Sequence, residues 1–225
     1  MNMKKLLLAF SLCLVLVIVL FAFEQGLFTS LRQEDLYGSW LTDVPAAEQI
    51  EHSLADFGIS YDVPDDLQMT YEFQYHADGT VTVSVEEASA QRIAEIETEA
   101  MRVGLPELIY AQYQSDMNYS REDTDAFLAS QGLTMTQLVD LALAEVDFAG
   151  QYTSASMIYT QYYCVDDGIL CSAASSVDLA SGNYDMTVEP NLRGNTMILS
   201  NARDRDGLPF AGSGTIKYPL TLRKK

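Results

Sequence analysis

The sequence is poor in the residues that most often carry catalysis or bind metals. It contains two histidines and three cysteines in 225 residues, and none of them forms the closely spaced His or Cys pairs that bind zinc. No nucleophile lies in a recognisable strand-turn-helix elbow. Residues 204–207 resemble part of a calcium loop, but Ala202 and Ser213 occupy positions where further ligands would be needed. The sequence therefore predicts no catalytic residue, no metal site and no cofactor.

Basic residues are also scarce. The chain has 13 lysines and arginines against 32 acidic residues, and from residue 26 onward it has 11 bases and 31 acids. Nucleic-acid binding depends on basic side chains that neutralise phosphates, and so does docking on anionic lipid. The composition therefore argues against both. We interpret the acidic excess mainly as a source of solubility; a surface for cations or a basic partner is the functional alternative.

One long hydrophobic run is present, at the N-terminus. Residues 6–23 are apolar except for Ser11, and Lys4 and Lys5 precede them. Eighteen helical residues span about 27 Å, close to the thickness of a bilayer core. No small-x-small cleavage site follows, so we predict a retained signal anchor over residues 1–25, with residues 26–225 extracytoplasmic. A cleaved signal, which would give a secreted protein, and a buried soluble helix are the alternatives.

The clearest β pattern follows a predicted helix at residues 45–57. Tyr71, Phe73 and Tyr75 alternate with polar residues, and valines alternate over residues 80–85. A three-residue loop at residues 77–79 pairs Tyr75 with Val81, and it leaves one face of the hairpin wholly apolar. A two-residue loop would split that face, and a slip of one residue inverts every side chain. The pattern therefore predicts the three-residue loop.

Residues 86–150 are predicted to be helical and carry 13 acids and three bases. We expect a helix at about residues 88–103, a second one starting at Pro106, whose fixed φ suits a first turn, and two more after Ser120 and Thr134, which begin capping boxes.

The pattern returns to β after residue 150, with strands predicted at residues 157–165, 169–173, 184–188, 196–200 and 216–222. Strands on both sides of the helices need each other to cover their edges. We therefore predict an α+β fold, in which an antiparallel barrel or flattened sandwich of about eight strands is split by an all-helical insertion.

Cys164 and Cys171 flank a turn in this second β region. If Asp167-Gly168 is a two-residue turn, the two cysteines lie directly opposite each other, and in an oxidising compartment we expect a disulfide. If the loop has three residues, their side chains lie on opposite faces and cannot bond.

Two short segments resemble a known family. Gly38-Ser39-Trp40, at the start of the first strand, resembles the G-x-W signature of lipocalins and small bacterial lipocalin-like domains, and residues 218–223 resemble their closing strand. The resemblance implies that Trp40 plugs the closed end of a barrel and that Arg223 lies across it as a cation–π partner. The helix at residues 45–57 and the helical insertion depart from this family, which has no fixed ligand residues to transfer.

The aromatic residues of the β segments are the remaining candidates for ligand binding. They either line a cavity for an apolar or sugar-like ligand or interdigitate as core; the candidates are Tyr71, Phe73, Tyr75, Tyr159, Tyr162 and Tyr163. Our leading hypothesis is a membrane-tethered, non-catalytic binding module for a small apolar ligand. The alternatives are a chaperone-like protein that holds a partner chain through the helical insertion, and a hydrolase in which two carboxylates converge.

Overall fold

The computed structural model describes residues 31–154, 158–213 and 216–225, and the chain within them divides into two compact units. The first, called here the barrel unit, takes residues 31–42, 73–82 and 160–225 of the described chain, and the second, the helical unit, takes residues 43–72 and 83–159. The predicted membrane segment, residues 6–23, lies outside the described residues. Among those that are described, no helix has the length and apolar character needed to cross a bilayer.

Eight antiparallel strands close into a barrel in the order β1-β10-β7-β6-β5-β4-β3-β2. A separate two-stranded ribbon pairs β8 with β9. The strands are β1 (Gly38–Pro45), β2 (Gln68–Tyr75), β3 (Thr80–Val85), β4 (Tyr159–Asp166), β5 (Ile169–Ala173), β6 (Met186–Arg193), β7 (Thr196–Asp204), β8 (Gly212–Ser213), β9 (Ile216–Lys217) and β10 (Leu220–Lys224). The α+β class and the antiparallel barrel are as predicted, and an eight-stranded barrel is compatible with a lipocalin-like fold. The single closing strand predicted for residues 216–222 is instead two strands, with residues 218 and 219 between them.

The hairpin between β2 and β3 has the predicted register. The amide of His76 donates to the carbonyl of Thr80 at 2.8 Å, and the amide of Glu86 donates to the carbonyl of Thr70 at 2.8 Å. Both bonds fit the same pairing, in which Tyr75 faces Val81 across a three-residue loop. The alternation of apolar residues therefore predicted this register correctly, because only one register places them on a single face.

The hairpin between β4 and β5 has the predicted two-residue turn but no disulfide. Cys164 lies directly opposite Cys171, and Asp167 and Gly168 both have positive φ, at 47° and 78°, as a type I′ turn requires. Both thiols are free. Alternate residue pairs of a hairpin exchange backbone hydrogen bonds, and Cys164 and Cys171 form one of these pairs. Such pairs hold their Cβ atoms about 5.5 Å apart, whereas a disulfide needs 3.5–4.5 Å.

The barrel unit has large side chains in its core. Trp40, Tyr163, Met197 and Leu222 are at most 1% exposed. The indole of Trp40 donates to the carbonyl of Leu36 at 2.7 Å, and the hydroxyl of Tyr163 donates to the carbonyl of His76 at 2.9 Å. The polar atoms of these two large residues are therefore satisfied within the packed interior.

Trp40 has its cationic partner one position beyond the residue that the family resemblance implied. Trp40 pairs in register with Lys224, and Leu41 pairs with Arg223. The Lys224 ammonium lies 5.2 Å from the centre of the Trp40 ring. Because side chains alternate between the faces of a strand, Lys224 shares the face of Trp40 and Arg223 belongs to the opposite face. The cation–π contact that the structure shows at Trp40 is thus made by Lys224.

Seven helices occur in the described part of the chain: α1 (Gln33–Leu36), α2 (Ala47–Asp56), α3 (Glu87–Met117), α4 (Arg121–Ser130), α5 (Met135–Ala144), α6 (Phe148–Thr153) and α7 (Ser176–Ala180). The helix predicted at residues 45–57 is present as α2, and the capping boxes at Ser120 and Thr134 both form. The short helices α6 and α7 were not predicted.

The break predicted at Pro106 was wrong. Pro106 lies inside the continuous helix α3, although it removes the amide that would bond to the carbonyl of Arg102. Met101 and Leu108, on either side of it, both pack against the core of the helical unit. Packing on both sides of the proline thus keeps α3 in one piece.

The core of the helical unit lies between α2, α3 and the adjoining strand ends. It contains twelve buried residues, namely Val44, Ala46, Ile50, Leu54, Ile59, Val63, Leu67, Met69, Val85, Ala90, Ile93 and Ala100. The start of α3 is fixed by its cap: the Glu86 carboxylate accepts from the amide of Ser89 at 3.0 Å, and the Ser89 hydroxyl accepts from the amide of Thr70 at 2.9 Å. These bonds set which face of α3 turns towards the core.

Candidate functional site

The face of α3 that turns towards this core also carries a buried acid. Ala90, Ile93 and Ala100 on this face are fully buried. Glu97 lies four residues after Ile93, on the same face, and it is 6% exposed. A glutamate in an apolar stripe is unusual, because an acid is almost never fully buried without a partner.

The partner of Glu97 comes from the short helix α6. The hydroxyl of Tyr152 donates to Glu97 Oε1 at 2.6 Å, a length typical of a hydroxyl bonded to a carboxylate. The position of α6 is set by Asp147, whose side chain accepts from the amide of Gly150 at 2.8 Å. Two capped helices, α3 and α6, thus bring together residues that are 55 positions apart in sequence.

The second oxygen of Glu97 has no partner. Two buried side-chain oxygens lack a hydrogen bond among the described residues, Glu97 Oε2 and Ser172 Oγ. Ser172 carries a neutral hydroxyl, whereas Glu97 carries an ionisable carboxyl, for which burial without a full set of partners costs more. Burial raises the pKa of Glu97, and the hydrogen bond from Tyr152 offsets part of this rise.

Glu97 lines a cavity of about 390 Å³ within the helical unit. This volume lies within the 300–1,000 Å³ of typical small-molecule sites. The walls come from α2, α3, α5 and α6 and from the residues that follow α2 and α5; they are Ser53, Leu54, Phe57, Ile59, Glu97, Met101, Leu105, Leu108, Ala142, Leu143, Val146, Phe148 and Gln151. Most are apolar, and Glu97 is the one acid among these described lining residues.

The cavity is open to solvent. Phe57 and Val146, which line it, are 63% and 41% exposed, whereas Leu54 and Ile59 on its inner side are buried. At this inner side Gly104 permits a close approach of α3: a Cβ added at Gly104 would lie 2.6 Å from Cγ2 of Ile59. The arrangement is an apolar pocket with one carboxyl at its wall, which is suited to binding a molecule by its hydrocarbon surface and one polar group.

The aromatic residues predicted from the sequence do not line this cavity. Phe73, Tyr75 and Tyr163 are buried in the barrel unit, where the rings of Tyr75 and Tyr163 meet edge to face with their centres 4.9 Å apart. Tyr162 in the barrel unit is partly buried, Tyr71 packs against the core of the helical unit, and Tyr159 is 56% exposed. None of the six is among the described residues that line the cavity.

Sequence reasoning missed Glu97 and Tyr152. One signal for Glu97 was present, because it interrupts the stripe of small and apolar residues at positions 90, 93, 94, 100 and 101 at helical spacing. Tyr152 had no such signal, since α6 is short and its contact with α3 depends on the tertiary fold. A group of three or more metal-ligating side chains is not found among the residues that the structure describes.

Comparisons with known proteins identify no relative of this chain. No family model, no curated protein and no solved structure matches it.

Proposed function

We propose that this protein is a membrane-tethered, extracytoplasmic binding module for a small, largely apolar molecule, and that the molecule binds in the Glu97 cavity. The observation that carries the proposal is an open, apolar cavity of about 390 Å³ with a buried and incompletely bonded carboxyl in its wall. An unbonded buried oxygen costs about 1–3 kcal/mol, which a ligand bearing a hydrogen-bond donor recovers. The barrel, of a lipocalin-like kind on this proposal, serves as the frame.

The proposed site lies in the helical unit and not in the barrel, where a lipocalin-like ligand site was expected. The described interior residues of the barrel unit include four large side chains that are at most 1% exposed. The helical unit has the Glu97 cavity beside its core. Burial of a compact hydrocarbon there supplies the affinity, at about 25 cal/mol for each Å² of apolar surface removed from water.

The binding site is tested by blocking the opening of the cavity with a larger side chain. Ala142 lines the cavity and is exposed, and Ala144 is exposed on the same helix but does not line it. We expect the Ala142→Phe variant to lose binding of cyclohexylmethanol by tenfold or more, and the Ala144→Phe variant to bind as the parent does. Isothermal titration calorimetry on the full-length chain in lipid nanodiscs, with empty nanodiscs as the blank, measures both. Equal binding by the two variants, or no binding by the parent at millimolar probe, contradicts the proposal.

The tether is tested separately from the site. The apolar run of residues 6–23 and the two lysines before it support a retained anchor. We expect the full chain to remain with membranes after alkaline carbonate extraction and residues beyond 26 to be digested by protease added outside the cytoplasmic membrane. Recovery of the chain in the cytosol contradicts this part of the proposal and leaves the cavity unaffected.

The chaperone-like function remains the second candidate, because the helical unit exposes several apolar side chains. Phe57, Val103, Met117 and Leu141 are each more than half exposed. A partner chain held on this surface would be displaced by substitutions at Val103 and Met117, which do not line the cavity. Loss of partner binding in these two variants, with cyclohexylmethanol binding unchanged, would favour this second function.

The hydrolase alternative has less support. It needs two carboxylates that converge on one site, and the raised pKa of Glu97 satisfies only half of that requirement. The described residues lining the cavity include no second acid.

A further inference from the structure

The chemistry of the cavity restricts which class of ligand can bind there. The hydrogen bonds of Glu97 give the first restriction. Its Oε1 accepts from the Tyr152 hydroxyl at 2.6 Å, and its Oε2 accepts from no described residue. An ionised carboxylate has only acceptor sites. What completes this group in its ionised form is therefore a hydrogen-bond donor.

The protein does not supply that donor as a charged side chain. The described lining of the cavity contains no lysine, arginine or histidine. Of the three arginines in residues 86–150, Arg92 is exposed and does not line the cavity. Arg102 pairs with Glu99 at 3.1 Å and with Asp140 at 3.4 Å, and Arg121 pairs with Glu107. All these partners are on exposed surface. The positive charge that would balance Glu97 is thus left for a ligand to provide.

The charge around the cavity favours a cation over an anion. Residues 86–150 carry 13 acids and three bases, and such an excess of one sign attracts ligands of the opposite sign. A ligand with a carboxylate would instead place a second negative charge beside Glu97, which is strongly unfavourable at low dielectric. Fatty acids and other organic anions are therefore poor candidates.

The walls and the volume define the rest of the ligand. Leu54, Ile59 and Leu108 present hydrocarbon surface, and a cavity of about 390 Å³ suits a compact molecule. Glu97 Oε2 is screened from solvent, so a donor in the cavity reaches it only if the carboxyl rotates, and the terminal torsion of a glutamate is broad.

We propose that the natural ligand is a compact lipophilic amine, whose ammonium group donates to Oε2 of Glu97 while its hydrocarbon part fills the cavity. This inference rests on the proposed function, because it concerns the same cavity.

Three probes of nearly equal size test the inference. Cyclohexylmethylamine, cyclohexylmethanol and cyclohexanecarboxylate share one hydrocarbon body and differ in the polar group. Calorimetric titration of the full-length chain in nanodiscs at pH 7.5 is expected to give an affinity for the amine at least tenfold higher than for the alcohol, because hydrogen bonds between charged groups are the stronger ones. Binding of the carboxylate is expected to be weakest.

A matched pair of variants assigns the preference to one carboxyl. Glu97→Gln keeps the shape of the side chain and removes its charge, and Glu95→Gln removes the same charge from an exposed position on the same helix. We expect Glu97→Gln to lose at least tenfold in amine affinity and to bind the amine no more tightly than the alcohol. Glu95→Gln is expected to change either affinity by less than threefold.

The outcomes separate this inference from the proposed function. If all three probes bind and the amine binds no more tightly than the alcohol, the amine inference is wrong and the binding module stands. If Glu97→Gln and Glu95→Gln lose amine affinity equally, the preference comes from overall charge and the assignment to Glu97 is wrong. If none of the probes binds, the proposed function itself fails. The comparison of probes on the parent chain needs no variant to fold.

Discussion

The barrel unit and the helical unit differ in the kind of polar group that each leaves buried without a hydrogen bond, the neutral hydroxyl of Ser172 in the first and the ionisable carboxyl of Glu97 in the second. In the barrel unit, Trp40 and Tyr163 are fully buried, and their polar atoms bond to backbone carbonyls. In the helical unit, an open cavity remains beside the core, and one oxygen of Glu97 is buried without a bond. Stability favours the first arrangement, because a buried carboxyl without its partners costs more free energy than a buried hydroxyl does. The second is typical of a site that binds something.

A matched pair of leucine truncations gives the largest expected effect. Leu222 in the barrel unit is 0% exposed, so Leu222→Ala leaves a new cavity and is expected to lower the free energy of unfolding by about 3–4 kcal/mol. Leu105 lines the existing cavity and is only partly buried, so Leu105→Ala is expected to cost about 1–2 kcal/mol. Urea denaturation measures both losses in the free energy of unfolding. Equal losses would show that the two sites do not differ in how tightly they are packed.

The close approach at Gly104 gives the next effect. A Cβ at this position would lie 2.6–3.0 Å from three side-chain atoms of the buried Ile59. Gly104→Ala is therefore expected to destabilise the protein by about 1–2 kcal/mol, since the overlap outweighs the better helix propensity of alanine. In the Ile59→Ala background, which removes those atoms, the same substitution is expected to be neutral or stabilising. A Gly104→Ala cost that is the same in both backgrounds would show that Ile59 does not cause it.

The buried carboxyl of Glu97 makes the free energy of unfolding depend on pH. Because burial raises the pKa of Glu97 in the folded state, the folded protein holds this proton more tightly than the unfolded chain does. The stabilising contribution of this proton to the free energy of unfolding is fully present below the unfolded pKa of about 4.3. It is lost as the pH rises through the folded pKa. The free energy of unfolding of the parent, measured relative to Glu97→Gln, is expected to fall over this range. A difference that stays constant with pH contradicts the assignment.

The cysteine hairpin of the barrel unit gives the smallest expected effect. Because Cys164 and Cys171 are free thiols, addition of a reducing agent is expected to leave the unfolding midpoint unchanged. Burial raises the pKa of Cys171 to about 11, so its alkylation at pH 8 is expected to be slow. A midpoint that falls on reduction would show that the two sulfurs are bonded after all. Iodoacetamide labelling followed by mass spectrometry checks the thiols directly.

The elements that the sequence predicted correctly are those in which local chemistry leaves one solution. The hairpin of Tyr75 and Val81 has a single register with an apolar face, and the caps at Ser120 and Thr134 each satisfy amides within one turn. Pro106 was mispredicted because its local preference for a helix start is overridden by packing at Met101 and Leu108. The cysteine pair was mispredicted because its separation depends on whether the pair exchanges backbone hydrogen bonds, and not only on its register.

The candidate site was the least predictable part of the molecule. It needs Glu97 on α3 and Tyr152 on α6 to meet across 55 residues, and it needs space that only the packed helices define. The aromatic residues that the sequence did suggest, such as Phe73 and Tyr163, are core residues of the barrel unit. Hydrophobic patterning identifies which residues are buried, but it does not identify where packing remains incomplete.

The chain has one tryptophan, Trp40, and it is buried in the barrel unit beside Lys224. Its fluorescence therefore reports on the barrel unit alone, whereas most of the helical circular dichroism signal comes from α2 to α6 in the other unit. Recorded together during one melt, the two signals show whether the units unfold as a single cooperative block or one after the other.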